Sequence, residues 1–438
     1  MQTARATQQV APRLRERLAD ARLQTDRLFA IVHPDAMYER PVAERHRLAF
    51  YLGHLEAFDW NLLREPLLGA RPFAPQLDRL FAFGIDPVAS ALPSDQPSDW
   101  PRIDDIARYN RRLRALIDIG LDDARMRIGD RIDSDDDDDP IVLMNMAIEH
   151  RLMHAETLAY LLHRLPFDRK RKQFQASVQT AAPFIASMVD VPAGAVTLGR
   201  ERIDGFGWDN EFEARCVDVP AFAIDRYMVT NAQYLRFAEA RGYDERAYWS
   251  DADWQWKSAN GIDHPAFWVR GDDGWRWRGM FEERPLPGDW PVYVSHAEAR
   301  AYAAWAGKAL PTEAQWQRAA TGSRHLDGER DDHRGNVDFR RFDPMPVHAP
   351  RHDVSEFGVV ALFGNGWEWT ASVFEPLPGF RPSPHYRGYS ADFFDGRHFV
   401  LKGASARTAA CIARPSFRNW FQPHYPYVYA GFRCVNPG

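Results

Sequence analysis

The stretch Met146-Ala147-Ile148-Glu149-His150-Arg151-Leu152-Met153-His154-Ala155-Glu156-Thr157-Leu158 decides how the first part of this chain is read. It has the composition of a helix, and a spacing of four places the His150 and His154 imidazoles on one face, about one turn apart. Two ring nitrogens so placed form a two-point grip for a metal ion. Alone, the pair is open to three readings: zinc, iron, or two histidines of a helix surface. A third histidine, His54, lies upstream within His46-Arg47-Leu48-Ala49-Phe50-Tyr51-Leu52-Gly53-His54-Leu55-Glu56-Ala57-Phe58-Asp59-Trp60, a second helix-like segment. Packed in a bundle, that segment can bring a facing imidazole to the pair. Three histidine ligands leave coordination positions open, which suits a redox metal that must also hold substrates.

Outward from this stretch, helical periodicity runs from Ala11 to about Ile185. Leu14, Leu18, Leu23 and Leu28 mark an opening amphipathic stretch, and Ile106 to Ile117 a further one. With the His54 and His150 segments, four principal helices predict a bundle. Between the last two lies Asp133-Ser134-Asp135-Asp136-Asp137-Asp138-Asp139-Pro140. This run lacks the alternating ligands and the glycine of a calcium loop, so it reads as a solvated connection before a helix N-terminus. Pro140 suits the first turn of the helix that follows.

A length of 438 residues predicts two or three domains. Hydrophobic residues at 45% and charged residues at 26% are ordinary globular values, and a formal charge of -6 gives no reason to expect nucleic acid or an anionic membrane as partner. The first thirty residues are charged throughout and lack an apolar core, and no long apolar run occurs elsewhere. The expectation is a soluble, cytoplasmic protein. Cys216, Cys411 and Cys434 form an odd, widely spaced set with no CxxC, which argues against a disulfide framework and against a structural zinc site.

After about Val191 the character changes. Trp, Gly and Pro rise, and short apolar runs such as Ala221-Phe222-Ala223-Ile224 stand between turn residues, which predicts a loop-rich α+β domain. Two helices remain legible in it, Asn231 to Ala238 and Ser295 to Trp305, the latter with a Ser295 cap and Glu298 as its capping-box partner. No solenoid repeat is present.

Four phrases of this half are specific: Phe206-Gly207-Trp208-Asp209-Asn210-Glu211, Leu310-Pro311-Thr312-Glu313-Ala314-Gln315-Trp316, Gly364-Asn365-Gly366-Trp367-Glu368-Trp369-Thr370 and Ala430-Gly431-Phe432-Arg433. They resemble the successive signatures of the formylglycine-generating-enzyme-like sulfatase-modifying fold. Joined to a bundle with three histidines, the arrangement resembles the ergothioneine and ovothiol sulfoxide synthases over nearly the whole chain. The resemblance implies an α plus α+β architecture: a DinB-like four-helix bundle over 1–187, then a loop-rich, C-type-lectin-like sulfatase-modifying domain over 188–438. It implies non-haem Fe(II) held by His54, His150 and His154, with O2 as co-substrate. The implied reaction is formation of a C–S bond between the imidazole of hercynine or histidine and a small thiol, cysteine or γ-glutamylcysteine.

The resemblance also implies site residues in the second domain. Tyr386 and Tyr389, in Pro384-His385-Tyr386-Arg387-Gly388-Tyr389-Ser390, fall where the family places an active-site tyrosine pair. Tyr386 is the candidate catalytic phenol, which passes on a proton, or a proton with an electron. Asn419 and Trp420 match the imidazole-substrate pocket, where an amide bonds a carboxylate or ring and an aromatic face suits a quaternary ammonium. Arg418 and Arg433 are candidates for a substrate carboxylate, or for bracing loops through backbone carbonyls. Glu149 and Glu156 could orient a histidine or form bundle ion pairs.

Three positions depart from the family pattern. Met153 stands where a Gln often reaches the imidazole substrate, Phe421 and Tyr425 stand at the offsets of an Asp and an Arg that bind γ-glutamylcysteine, and Gly403-Ala404-Ser405-Ala406 replaces Gly-Gly-Ser-Trp. Imidazole recognition, with Met153 lining it, and the sulfur donor are therefore open. The alternatives are C–Se bond formation of the selenoneine-synthase type and a non-catalytic ligand-binding protein with this fold. Formylglycine generation fits poorly, because Cys411 has no neighbouring cysteine.

Overall fold

The computed structural model describes residues 10–83, 92–124, 132, 138–173, 185–323, 335–349 and 353–437. Part of the acidic run, residues 133–137, lies outside them, as do the first nine residues. The chain divides into two compact units, residues 1–173 with 202–206, and residues 174–201 with 207–438.

Helices build the first unit: α1 (Val10–Phe29), α2 (Leu48–Leu63), α3 (Pro75–Phe83), α4 (Ile103–Ala124) and α5 (Pro140–Arg164). The four predicted helices are present, and the short α3 is additional. Helix α1 packs on α5, while α2 packs on α3, α4 and α5. Ala11, Leu14, Leu18, Ala21 and Leu28 form the buried stripe of α1. Leu23 is 46% exposed, because a step of five from Leu18 turns it off that stripe. Helix α5 starts as its sequence dictates, with Asp139 as N-cap accepting from the Ile141 and Val142 amides at 2.8 and 3.1 Å and Pro140 in the first turn. It stops at Arg164, since Pro166 cannot continue it, and residues 174–184 of the stretch read as helical to about Ile185 lie outside the described residues.

Buried charge ties these helices together. Arg151 of α5 is fully buried and pairs with Glu56 at 3.0 Å and Asp59 at 2.5 Å, both on α2. Arg114 of α4 bonds Glu56 and Asp26, and Arg22 of α1 pairs with Asp118 of α4. Burial works against the Glu56 carboxyl, yet Arg151 and Arg114 hold it down at about 2.

The second unit contains short strands: β1 (Met188–Val191), β2 (Gly194–Leu198), β3 (Arg215–Val219), β4 (Phe222–Asp225), β5 (Trp268–Gly271), β6 (Gly274–Arg278), β7 (Glu283–Pro285), β8 (Gly366–Val373), β9 (Phe399–Ala404), β10 (Asn419–Phe421) and β11 (Ala430–Gly431). The main sheet has the order β10-β9-β8-β11, antiparallel except for the β11/β8 pair. Its helices are α6 (Asn231–Glu239), α7 (Asp251–Ala259), α8 (His296–Trp305) and α9 (Glu313–Ala319). The Ser295/Glu298 capping box of α8 is present, while α7 and α9 were not among the helices legible in the sequence, α9 being under two turns long.

The four specific phrases prove to hold this unit together. Trp316 Nε1 donates to Glu368 at 2.8 Å, and Arg433 forks onto the same carboxylate at 2.6 and 2.7 Å. Trp316 also sits in a core with Val191, Ile224, Val359, Leu362 and Val435. Glu211 accepts the Trp208 amide, the Ser416 hydroxyl and the Arg414 guanidinium. Gly403 has φ of +91°, and a Cβ there would meet the Leu362 carbonyl oxygen at 2.5 Å, so that glycine is required. Ala404, which replaces the second glycine of the commoner phrase, simply packs with Val337 and Ala413.

Candidate metal centre

Helix α2 carries His54 next to Gly53, and that glycine shapes the site. A Cβ at Gly53 would lie 2.5 Å from the Phe81 ring, so only glycine lets the end of α3 come so close. Phe81 is in the last turn of α3, where carbonyls lack intrahelical partners. Its oxygen lies 2.7 Å from His54 Nδ1. A carbonyl only accepts, so Nδ1 carries the proton and Nε2 of the neutral ring presents its lone pair.

That lone pair faces His154 Nε2 at 3.2 Å. His150 completes the group: the three histidines each offer a nitrogen, all within 4.8 Å of one another. Among the described residues this is the one such cluster of His, Cys, Asp or Glu. His54 and His150 are buried and His154 is half-buried. With metal–nitrogen bonds of about 2.1 Å, donors at a right angle lie about 3.0 Å apart and donors at a tetrahedral angle about 3.4 Å. The His54–His154 separation falls between these values, and His154 Nδ1 has no hydrogen-bond partner among the described residues.

Electrostatics favour the ligand form of the rings. Burial lowers His54 to about 4, against the Phe81 hydrogen bond and with His46 and Arg151 acting in the same sense as burial. Burial likewise takes His150 and His154 well below the ordinary histidine value, helped by the neighbouring imidazoles and Arg151. All three are neutral donors near pH 7, so the residues fit a divalent metal that accepts imidazole.

Two phenylalanines escaped the sequence reading. Phe58 stacks on His150 at 3.4 Å with 10° between planes, and Phe50 stacks on His54 at 4.7 Å. Their signal was the spacing Phe50, His54, Phe58 at steps of four along one helix face. Arg151 was also missed, although it directly follows His150 and bonds α2 on both sides of Ala57. Met153 is half-buried on α5, beside His154 in sequence. Glu149 is buried and Glu156 half-buried on the same helix.

The candidate residues of the second unit fall into two groups. Tyr386, Tyr389 and Trp420 belong to one aromatic cluster: Tyr386 lies 5.6 Å from Tyr389, and Tyr389 meets Trp420 edge-on at 5.1 Å. Trp420 also stacks on Phe374 at 4.4 Å. Strand alternation on β10 turns Asn419 and Phe421 to the opposite side from Trp420, and Phe421 stacks on Tyr425 at 5.2 Å. Burial holds the Tyr386 phenol above its ordinary value. The arginines, in contrast, are engaged as braces. Arg418 grips Glu313 at 2.8 and 3.1 Å and the carbonyls of Asn210 and Glu375. Arg433 bonds Glu368 and the carbonyls of Asp225, Arg226 and Val360. Cys216 is exposed, Cys411 half-buried and Cys434 buried, and all three are free thiols.

Residues 173–437 match the sulfatase-modifying factor enzyme 1-like domain. The molecule is thus a helical unit with a three-imidazole donor group joined to a domain of that kind. The chain is 36% identical over 320 residues to hercynine oxygenase of Mycobacterium tuberculosis, covering 66% of this chain and 70% of that protein. It is 35% identical over 383 residues to hercynine oxygenase of Mycolicibacterium smegmatis, covering 83% and 84%. Formylglycine-generating enzyme of Thermomonospora curvata is 32% identical over 284 residues, but that match covers 57% of this chain. The similarity to the hercynine oxygenases therefore extends beyond the shared domain into the helical unit. The chain belongs to the ergothioneine and ovothiol sulfoxide synthase family.

No helix among the described residues is long and apolar enough to cross a membrane.

Proposed function

We propose that this protein is an O2-dependent, non-haem iron sulfoxide synthase that joins the imidazole ring of hercynine or histidine to a small thiol. The observation that carries the reading is the convergence of His54, His150 and His154 in a chain of this family. Fe(II), when bound by these three residues, supplies the redox chemistry that couples O2 to C–S bond formation. The histidines bind as neutral donors because burial keeps them unprotonated. The Phe81 carbonyl orients His54, and the flat stack of Phe58 orients His150.

In the second unit, Tyr386 keeps its proton on Oη because burial disfavours the phenolate. It is the group assigned to proton delivery during the coupling. Trp420 and Tyr389 offer aromatic surface for the imidazole substrate, whereas Asn419, turned to the other side of β10, offers its amide there. Arg418 contributes by holding the segment before Asn419 against Glu313 rather than by free charge, and Met153 supplies an apolar contact where a glutamine would hydrogen-bond. The substrates are small molecules, and the setting is a soluble, cytoplasmic one.

The test is anaerobic loading with Fe(II), followed by mass spectrometry of oxygenated reactions of histidine or hercynine crossed against cysteine and γ-glutamylcysteine. An imidazole left unmodified in every pair would remove C–S coupling as the function. Tyr386→Phe should retain iron and shift products toward simple thiol oxidation. The uncharged Phe421/Tyr425 stack argues for a donor other than γ-glutamylcysteine, which leaves cysteine or, as a second reading, a selenium donor and C–Se bond formation. A selenosugar arm in the same experiment separates the two.

A further inference from the structure

The segment 383–390, which carries Tyr386 and Tyr389, consists of bends and turns with no strand or helix to hold its shape. Its two ends are nonetheless joined by one side chain from far upstream. Asp209 Oδ2 accepts the Ser383 amide at 3.2 Å, and Asp209 Oδ1 accepts the Ser390 hydroxyl at 2.5 Å. Between these anchors the Tyr389 amide donates to the Tyr386 carbonyl at 3.0 Å, so the turn bearing Tyr386 is suspended between them. Trp208, the residue before Asp209, stacks on Tyr389 at 4.1 Å.

The anchor is itself immobilised. Glu211, two residues on, accepts the Trp208 amide at 2.8 Å and is paired with Arg414 at 2.5 Å, and Ser390 is fully buried. Asp209 is buried, so its carboxylate must find hydrogen bonds for both oxygens, and both reach the same loop. A reacting group on a loop is useful only when held to about 0.5 Å, and a misplacement of about 1 Å costs on the order of a hundredfold in rate.

We propose that Asp209 is a positioning residue: by bonding both ends of segment 383–390 it fixes where the Tyr386 phenol is presented. The proposal rests on the reading of Tyr386 as the proton-delivering group. Three measurements on the Fe(II)-loaded full chain test it: iron content, hydrogen exchange of peptides spanning 383–390, and the ratio of C–S product to oxidised thiol.

Asp209→Ala should leave iron content unchanged, speed exchange in 383–390 by roughly tenfold, and move the product ratio toward thiol oxidation, as Tyr386→Phe does. Asp209→Asn should rescue both readouts, because its amide oxygen can accept from Ser383 while its NH2 donates to Ser390 Oγ. Ser390→Ala should fall between, and it carries the test should Asp209→Ala fail to fold. Wild-type exchange in the variants, or faster exchange with a wild-type product ratio, would overturn the proposal. A wild-type ratio in Tyr386→Phe would instead overturn the phenol's role, and the positioning role with it, while the exchange data still reported the clamp.

Discussion

The histidines of the helical unit and the arginines of the second unit are both buried polar groups, but they are buried on different terms. Arg433 spends all its donors, on both oxygens of Glu368 and on three carbonyls. His54 and His154 point nitrogens at each other across 3.2 Å, in a pocket with no carboxylate among the clustered ligands. A buried group that is fully hydrogen-bonded stabilises the fold, whereas lone pairs converging on one point are stabilised by a cation placed there. The contrast separates chemistry from scaffolding among residues that look equally conspicuous in the sequence.

The strongest way to break the comparison is His150→Ala. Fe(II) bound after gel filtration should fall from roughly one per chain to near zero, with helicity retained. Stoichiometric iron in that variant would mean that the cluster is not the centre. Arg418→Met and Arg433→Met should do the reverse. Each strips the two-pronged guanidinium from a buried carboxylate, leaving Glu313 with Lys402 at 3.9 Å and Glu368 with the Trp316 indole N–H, and should cost about 3 kcal/mol in urea unfolding, while iron content stays at the wild-type level. If Arg418→Met were stable and instead raised KM for the imidazole substrate, its side chain would belong with the site.

The next largest effect is on pH dependence. Burial raises the Asp353 carboxyl to about 6, against the Phe363 amide and Arg433, with Glu368 pushing the same way as burial. A folded-state value above the unfolded one means that the stability from this group is fully present below about pH 4 and is lost as pH rises through 6. The loss amounts to about 3 kcal/mol at most, at 1.36 kcal/mol per unit. Asp353→Asn should remove it, so the variant should gain on the wild type between pH 4 and pH 7 in denaturant titrations. A constant difference across that range would show that the carboxyl titrates normally. The smallest expected effect sharpens the comparison on the histidine side: Phe58→Leu should weaken Fe(II) binding about tenfold through a looser His150, with little change in stability. Unchanged affinity would reduce Phe58 to packing.

Much of the helical unit was legible because its signals are local. A Pro140 start, an Asp139 cap and a step of four between histidines are all written within one helix. What escaped was short or depended on packing. Helix α3 is nine residues long, yet its Phe81 carbonyl decides the His54 tautomer. In the second unit the specific phrases were legible as a resemblance, but their physical purpose was not. Trp316, Glu368 and Arg433 lie far apart in the chain and meet only in the core. The pairing of Asn419 with Trp420 also looked different in sequence, since neighbours on a strand face opposite sides.

The sequence by itself determined which residues could bind a metal, because side-chain chemistry and helical period are properties of short segments. Only the tertiary structure decided that His54 joins His150 and His154, that Gly53 admits the carbonyl which orients it, and that Arg418 and Arg433 are engaged in holding the fold. The physical reason is the same in each case. Hydrogen-bond satisfaction and the distance between lone pairs depend on which segments fold against one another, and that is settled by burial across the whole unit.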